Sequence, residues 1–196
     1  SVRPAQEEEE ALMTTPSALP PDLTRLVLDN LREVPDFPQP GVLFRDITPL
    51  LANGPAFAAF IEGLAAHYAG RVDAVAGLES RGFIFGTAIA YELRKGFIPV
   101  RKKGKLPRET VSVKYDLEYG EAELEIHKDA IRPGEKVVIV DDLIATGGTL
   151  EAACKLVEKL GGTVEKISVV MELAGLKGRE RLKKYELESL IRYEGK

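Results

Sequence analysis

A chain of 196 residues suffices for one full α/β core and gives no reason to expect a second. One cysteine and two distant histidines exclude an internal disulfide and a Cys-based metal cluster, and point to a reducing cytosol. Of the net charge of −4, Arg3 against Glu7 to Glu10 supplies −3, so the nearly neutral remainder argues against a nucleic-acid binder, and no apolar run reaches membrane-spanning length.

Residues 1–20 combine the Glu run with Ser, Thr and Pro and read as a disordered leader, too acidic for a secretory signal or a mitochondrial presequence. Residues 21–196 then form a single domain. Asp22 can cap a helix over 23–33, where Leu23, Leu26, Val27, Leu31 and Val34 recur at helical spacing. Three prolines between 35 and 41 predict a stiff extended loop. A second helix is expected over 55–68, with Phe57, Phe60, Ile61 and Leu64 on one face. There follow a strand over 72–76, a loop over 77–81, a helix over 82–94 closed by Gly96, and a strand over 97–101. Two β-rich stretches, 110–118 and 122–127, flank Tyr119 and Gly120. A strand over 137–140 leads through 141–149 to a helix that opens at Leu150 and ends at Gly161 and Gly162. Further strands are expected over 163–172 and 187–193. Strands alternating with helices imply a parallel central sheet, flanked by helices and joined by right-handed crossovers.

The run from Val137 to Thr149 carries the most chemistry. Four β-formers (Val137, Val138, Ile139, Val140) precede the acid pair Asp141 and Asp142, then Leu143, Ile144 and the small-residue loop Ala145, Thr146, Gly147, Gly148, Thr149. Ligands of open α/β sheets bind past the carboxyl ends of the strands. A Gly- and Thr-containing loop entering a helix offers unpaired N–H groups, hydroxyls and a favourable dipole to a phosphate. The acid pair adds acceptors for sugar hydroxyls or for water on a divalent cation. A 5-phosphorylated sugar with Mg²⁺ satisfies every part. The alternative is a plain strand–turn–helix in which Asp142 and Thr146 merely cap, and the acid pair at fixed spacing weighs against it. Both common glycine-rich nucleotide signatures are absent.

Two further stretches have chemical potential. The turn Gly77-Leu78-Glu79-Ser80-Arg81-Gly82 repeats the strand-to-helix topology, so Ser80, Arg81 and the helix amides can receive a second anion. Arg101, Lys102, Lys103, Lys105 and Arg108 fall within eight residues, interrupted by Gly104 and Pro107. Such a run is commonly a solvated face; here a mobile arm over a polyanion is the more economical reading.

The run from Val137 to Thr149 resembles the phosphoribosyl-pyrophosphate (PRPP) motif of the type I phosphoribosyltransferases. Four more stretches resemble the adenine-specific members: Phe37 to Leu50, Gly77 to Phe83, Arg101 to Pro107, and Leu117 to Gly120. The resemblance runs from about Asp22 onward. It implies a type I phosphoribosyltransferase fold, with residues 21–50 as a small hood over the base and a flexible loop over the site. It implies purine salvage: adenine and PRPP give AMP and pyrophosphate, with Mg²⁺ carried by PRPP and water, no protein ligand binding it directly, and Asp141 and Asp142 as acceptors for that water.

The same resemblance distributes roles. Ala145, Thr146, Gly147, Gly148 and Thr149 take the 5′-phosphate, Ser80 and Arg81 the pyrophosphate, and Lys102 and Lys105 close over it. The bond between Glu79 and Ser80 is often cis in the family. Glu118 handles the purine proton as N9 attacks, as base or by charge alone, and Tyr119 belongs to the shielding loop. The Leu43 carbonyl and Arg45 N–H read the adenine edge, while Phe44 and Leu143 sandwich the ring. A homodimer is also implied. A regulator of the same fold that binds PRPP without turnover, or another base specificity, would differ in this hood or carry an added DNA-binding domain.

Overall fold

The computed structural model describes residues 19, 21–117 and 119–195. Helix α1 (Pro21–Leu28) is followed by the hairpin β1 (Arg32–Pro35) and β2 (Leu43–Asp46), then by α2 (Thr48–Ala52) and α3 (Gly54–Tyr68). The sheet-forming part comprises β3 (Ala74–Leu78), α4 (Arg81–Leu93), β4 (Gly96–Lys102), β5 (Thr110–Leu117), β6 (Gly120–His127), β7 (Lys136–Ile144), α5 (Gly148–Lys159) and β8 (Thr163–Leu173). A 3₁₀ turn (Ala174–Leu176), the short α6 (Gly178–Arg181) and β9 (Leu187–Tyr193) complete it.

The larger sheet has the order β5-β6-β4-β3-β7-β8-β9. From β4 to β9 its five strands are parallel, as the alternation of strands and helices predicts. The β5–β6 hairpin instead adds two antiparallel strands at one edge. The central strands are buried on both faces, which explains their unbroken apolar runs. In β7 the period of two sends Val138 and Val140 to one core, with Phe60, Tyr68, Phe85 and Ile89. Val137 and Ile139 face the other core, with Cys154, Leu150 and Leu156 of α5. Each fully buried Leu or Ile contributes roughly 1.5–3 kcal/mol. Cys154 is free and buried, which pushes its thiol up to about 12.

Several expectations need correction. The helix expected over 23–33 stops at Leu28, where the Asn30 side chain donates to Leu26 O at 2.8 Å. Residues 32–35 form β1 because Val34 pairs with Phe44 across the hairpin, a tertiary gain that overrides helical spacing. Helix α2 and the Asn53 cap of α3, whose Oδ1 accepts from Ala56 N at 3.2 Å, were not anticipated. Gly96 does not close α4. Arg94 does, in the left-handed region at φ 54°, and Gly96 opens β4. Leu19, inside the expected leader, is 4% exposed and packs in the core with Leu23 and Val27; the rest of residues 1–20 lies outside the described residues.

The phosphate-motif strand is longer than expected. It continues to Ile144, with Asp141 beside Val169 and Leu143 beside Met171 in β8. The two carboxylates therefore sit in the last rungs of a central strand, at the carboxyl end where the sequence places them.

Candidate active site

The carboxyl ends of β3, β7, β8 and β9 converge on one edge of the sheet. At β7 the chain turns through Ala145 to Gly147 into α5. Gly147 is left-handed at φ 85°, and a Cβ there would stand 3.0 Å from Gly178 O, so only glycine fits. No side chain caps α5. The first-turn amides, from Gly148 on, have no intrahelical acceptor and face outward with the positive end of the dipole. A cavity of about 500 Å³ opens here, lined by Leu143, the loop Ala145 to Thr149, Leu150, Tyr115, Leu117 and Arg181.

Asp142 is 6% exposed and ion-paired with Arg81 Nε. The structure thus joins the PRPP motif to the second turn through two of the expected site residues. Asp141 Oδ1 accepts from Asp142 N at 2.8 Å. Burial, then the neighbouring Asp142 charge, pushes the Asp141 carboxyl well above the usual carboxylate range. Helix α4 starts close against it, since a Cβ on Gly82 would lie 2.8 Å from Val140 O and 3.2 Å from Asp141 Oδ1. Among the described residues no group of three His, Cys, Asp or Glu could cage a metal. The pair Asp141 and Asp142 suits a cation that keeps water and substrate oxygens, as Mg²⁺ does.

The Glu79–Ser80 peptide bond is cis. Glu79 Oε1 accepts from Lys102 N at 2.7 Å and lies 3.4 Å from Arg101 Nε, which ties this turn to the start of the basic run. Within that run the cations divide. Lys103 pairs with Glu123 at 2.8 Å and Arg108 with Asp129 at 2.9 Å. The exposed side chains of Lys102 and Lys105 make no ion pair among the described residues. In this structure the run is tied back at two points, where buried Glu125 accepts from Gly104 N at 3.0 Å and Leu106 N at 3.3 Å. What projects is the β5–β6 hairpin, with Leu117 at 51% and Tyr119 at 92% exposure near its tip. Glu118 lies outside the described residues.

The β1–β2 hairpin, in the segment expected to form the hood, is anchored at the same edge. The Arg45 guanidinium stacks 3.5 Å over the ring of Tyr193, the last residue of β9, and Thr24 Oγ1 donates to Leu190 O at 3.2 Å. Phe44 packs edge-on to Phe37 at 5.2 Å, and Leu143 packs against the core from the end of β7. In the hairpin register Pro35 stands opposite Leu43. Proline has no N–H, so these two cannot exchange both bonds; alternation gives the reciprocal bonds to Val34 and Phe44. The backbone groups of Leu43 and Arg45 then face the other edge, where β2 has no strand partner among the described residues.

Sequence reasoning missed Tyr115, Arg179 and Arg181. Tyr115 had a signal in its alternating strand. The two arginines lie in a charged stretch that reads as solvated surface.

The comparisons with known proteins agree with this geometry. The family model for the phosphoribosyl transferase domain matches residues 49–193. The chain is 56% identical over 172 residues to the adenine phosphoribosyltransferase of Roseiflexus sp. (strain RS-1), covering 87% of this chain and 100% of that one. The crystal structure of the adenine phosphoribosyltransferase of Thermoanaerobacter pseudethanolicus superposes with a TM-score of 0.82 at 52% identity, covering 87% of this chain and 99% of that one. That of Saccharomyces cerevisiae, complexed with an imino-altritol bisphosphate and adenine, gives 0.82 at 41% identity, with 86% and 98% covered.

Proposed function

The chain belongs to the adenine phosphoribosyltransferases, and from that membership we infer that its carboxyl-edge site transfers the 5-phosphoribosyl group of PRPP to N9 of adenine. The products are AMP and pyrophosphate, and the reaction is purine salvage. One observation carries this reading: the uncapped start of α5 and the Asp141–Asp142 pair share the edge that the hood hairpin closes.

The bond from C1 to pyrophosphate loosens, an oxocarbenium-like ribosyl forms, and N9 adds from the opposite face. The loop Ala145 to Thr149 holds the 5′-phosphate by its amides and hydroxyls. Ser80 and Arg81 take the pyrophosphate, for which Arg81 exchanges Asp142. Lys102 and Lys105 approach the leaving group, and their freedom from ion pairs supports that assignment over Lys103 and Arg108. Asp141 and Asp142 would hold ribose hydroxyls or water on Mg²⁺, whose charge would offset that of the pyrophosphate. Glu118 and Tyr119 arrive with the hairpin tip, Glu118 to handle the purine proton. The outward Leu43 carbonyl and Arg45 N–H read the 6-amino group and N1 of adenine, and Phe44 and Leu143 flank the ring. A 6-oxopurine sets carbonyl against carbonyl there, leaving buried groups unpaired.

We assign residues 21–196 to one domain, a cytoplasmic location and a homodimer. The lone buried thiol supports a reducing compartment. Exposed Tyr91 and Ile84 on α4, beside an open groove of about 440 Å³ shared with Phe57 and Ile61, support a partnered face. Among the described residues no helix is long and apolar enough to cross a membrane.

The test is an assay of adenine, hypoxanthine, guanine, xanthine, orotate and uracil with PRPP and Mg²⁺. Nucleotide is expected from adenine alone, and a preference for a 6-oxopurine would refute the reading.

A further inference from the structure

Residues 174–182 form an outer wall of the phosphate loop. Gly178 approaches so closely that a Cβ there would stand 2.4 Å from Ala145 O and 2.9 Å from Ile144 Cδ1. Behind it, Arg179 grips buried Glu172 with Nε at 3.1 Å and Nη2 at 2.7 Å, while its Nη1 donates to Leu187 O at 2.9 Å. Ser189 Oγ donates to the same carboxylate at 2.8 Å. A bidentate pair on a carboxylate that is 3% exposed fixes this short helix against the sheet.

Arg181 therefore starts from a fixed point, and its side chain lines the phosphate-loop cavity. Its Nε donates to Glu151 in the first turn of α5. Its Nη1 lies 3.5 Å from where a Cβ on Gly148 would stand, beside the loop amides. Among the described residues Nη1 and Nη2 have no hydrogen-bond partner. A guanidinium held by one nitrogen, with its remaining donors beside uncommitted amides, matches a phosphate ester in both charge and geometry.

We propose that Arg181 is a further binding residue for the 5′-phosphate of PRPP and AMP, donating through Nη1 and Nη2 while Glu151 keeps Nε in place. This rests on reading Ala145 to Thr149 as the 5′-phosphate loop. The contact extends that loop by a side chain 32 positions downstream of Thr149.

The experiment measures Kd for AMP by calorimetry, and KM for PRPP and for adenine, in four variants of the full chain. Arg181→Gln is expected to weaken AMP and raise the PRPP KM about tenfold, with the adenine KM unchanged. Arg181→Lys, which keeps the charge without the fork, is expected to fall between and covers the case that Arg181→Gln folds poorly. The double variant Arg181→Gln with Glu151→Gln is expected to stay weak. If it recovers wild-type affinity, Arg181 only masks the Glu151 charge, and the proposal fails. Thr149→Val separates the two layers. If it weakens AMP while Arg181→Gln does not, the loop reading stands and Arg181 is not a ligand. If neither weakens AMP, the phosphate binds elsewhere and both readings fall.

Discussion

Burial and the adjacent Asp142 charge push the Asp141 carboxyl up, so the folded chain holds a proton there more tightly than the unfolded chain does. The sign follows: ionising Asp141 disfavours folding, and stability is lost as pH rises from the ordinary value near 3.8 through the raised one. Asp141→Asn keeps the acceptor for Asp142 N and removes the charge. It is expected to raise Tm at pH 7–8 by a few degrees, on the order of 1 kcal/mol, with no gain below pH 3. The same change is expected to lower kcat by about 10²-fold with little change in the adenine KM. Thermal scans against pH, beside steady-state kinetics, check both halves. An equal loss of stability and activity would mean that the carboxylate is a packing residue.

The basic run gives a second comparison among single residues. Lys103→Ala breaks an exposed pair with Glu123 and is expected to change kcat/KM less than threefold. Lys102→Ala or Lys105→Ala removes a cation that has no ion pair among the described residues, and is expected to cost tenfold or more, read in pre-steady-state AMP formation. The sequence points to Lys102 and Lys105 as cations able to close over a polyanion, and the pairing of Lys103 and Arg108 with carboxylates favours that choice.

At the scale of elements, what was legible was local. Strand, acid pair, loop and helix lie within consecutive residues, so their chemistry can be read in one window. The wall formed by Gly178, Arg179 and Arg181 is brought to the loop only by the β8 crossover, and nothing near Gly178 in sequence announces it. Gly178→Ala is expected to displace the Ala145 carbonyl, raise the PRPP KM several-fold and destabilise by about 1–3 kcal/mol. A crystal structure of the variant with AMP would register the shift. Misreading the helix over 23–33 has the opposite origin. Local spacing there was sound, and pairing of Val34 with Phe44 overrode it.

Across the whole molecule, one buried network ties α3 to the sheet edge that β9 closes. Glu188, 7% exposed, accepts from Tyr68 OH at 2.8 Å and meets His67 Nε2 at 2.9 Å and Lys166 Nζ at 3.2 Å. Burial raises its pKa, but these partners together outweigh burial and leave it lowered. Its contribution is therefore present above the ordinary value of 4.5 and lost as pH falls through the lowered one. Glu188→Gln is expected to cost about 2 kcal/mol at pH 7, some 4–8 °C in Tm, and to flatten the acid limb of the stability profile. Urea titrations between pH 3 and 7 test this. The parallel order of the sheet was legible from the alternation of elements. The hairpin at the other edge was legible too, because the few residues between its two β stretches leave no room for a crossover, but nothing local says that it joins the sheet beside β4.

Pro35 has a consequence for how base preference can change. With the base read as proposed, by the Leu43 carbonyl and the Arg45 N–H, the reader carries no side chain whose exchange would invert its donors and acceptors. Point substitutions at Leu43 or Arg45 should blur affinity and leave the choice of purine intact. Redirecting the pocket to a 6-oxopurine would require a one-residue insertion or deletion between Pro35 and Leu43, turning the inner rail of the hairpin outward. Selectivity of this kind is inherited with the loop length, so it drifts little under point mutation and changes, when it does, in a single step.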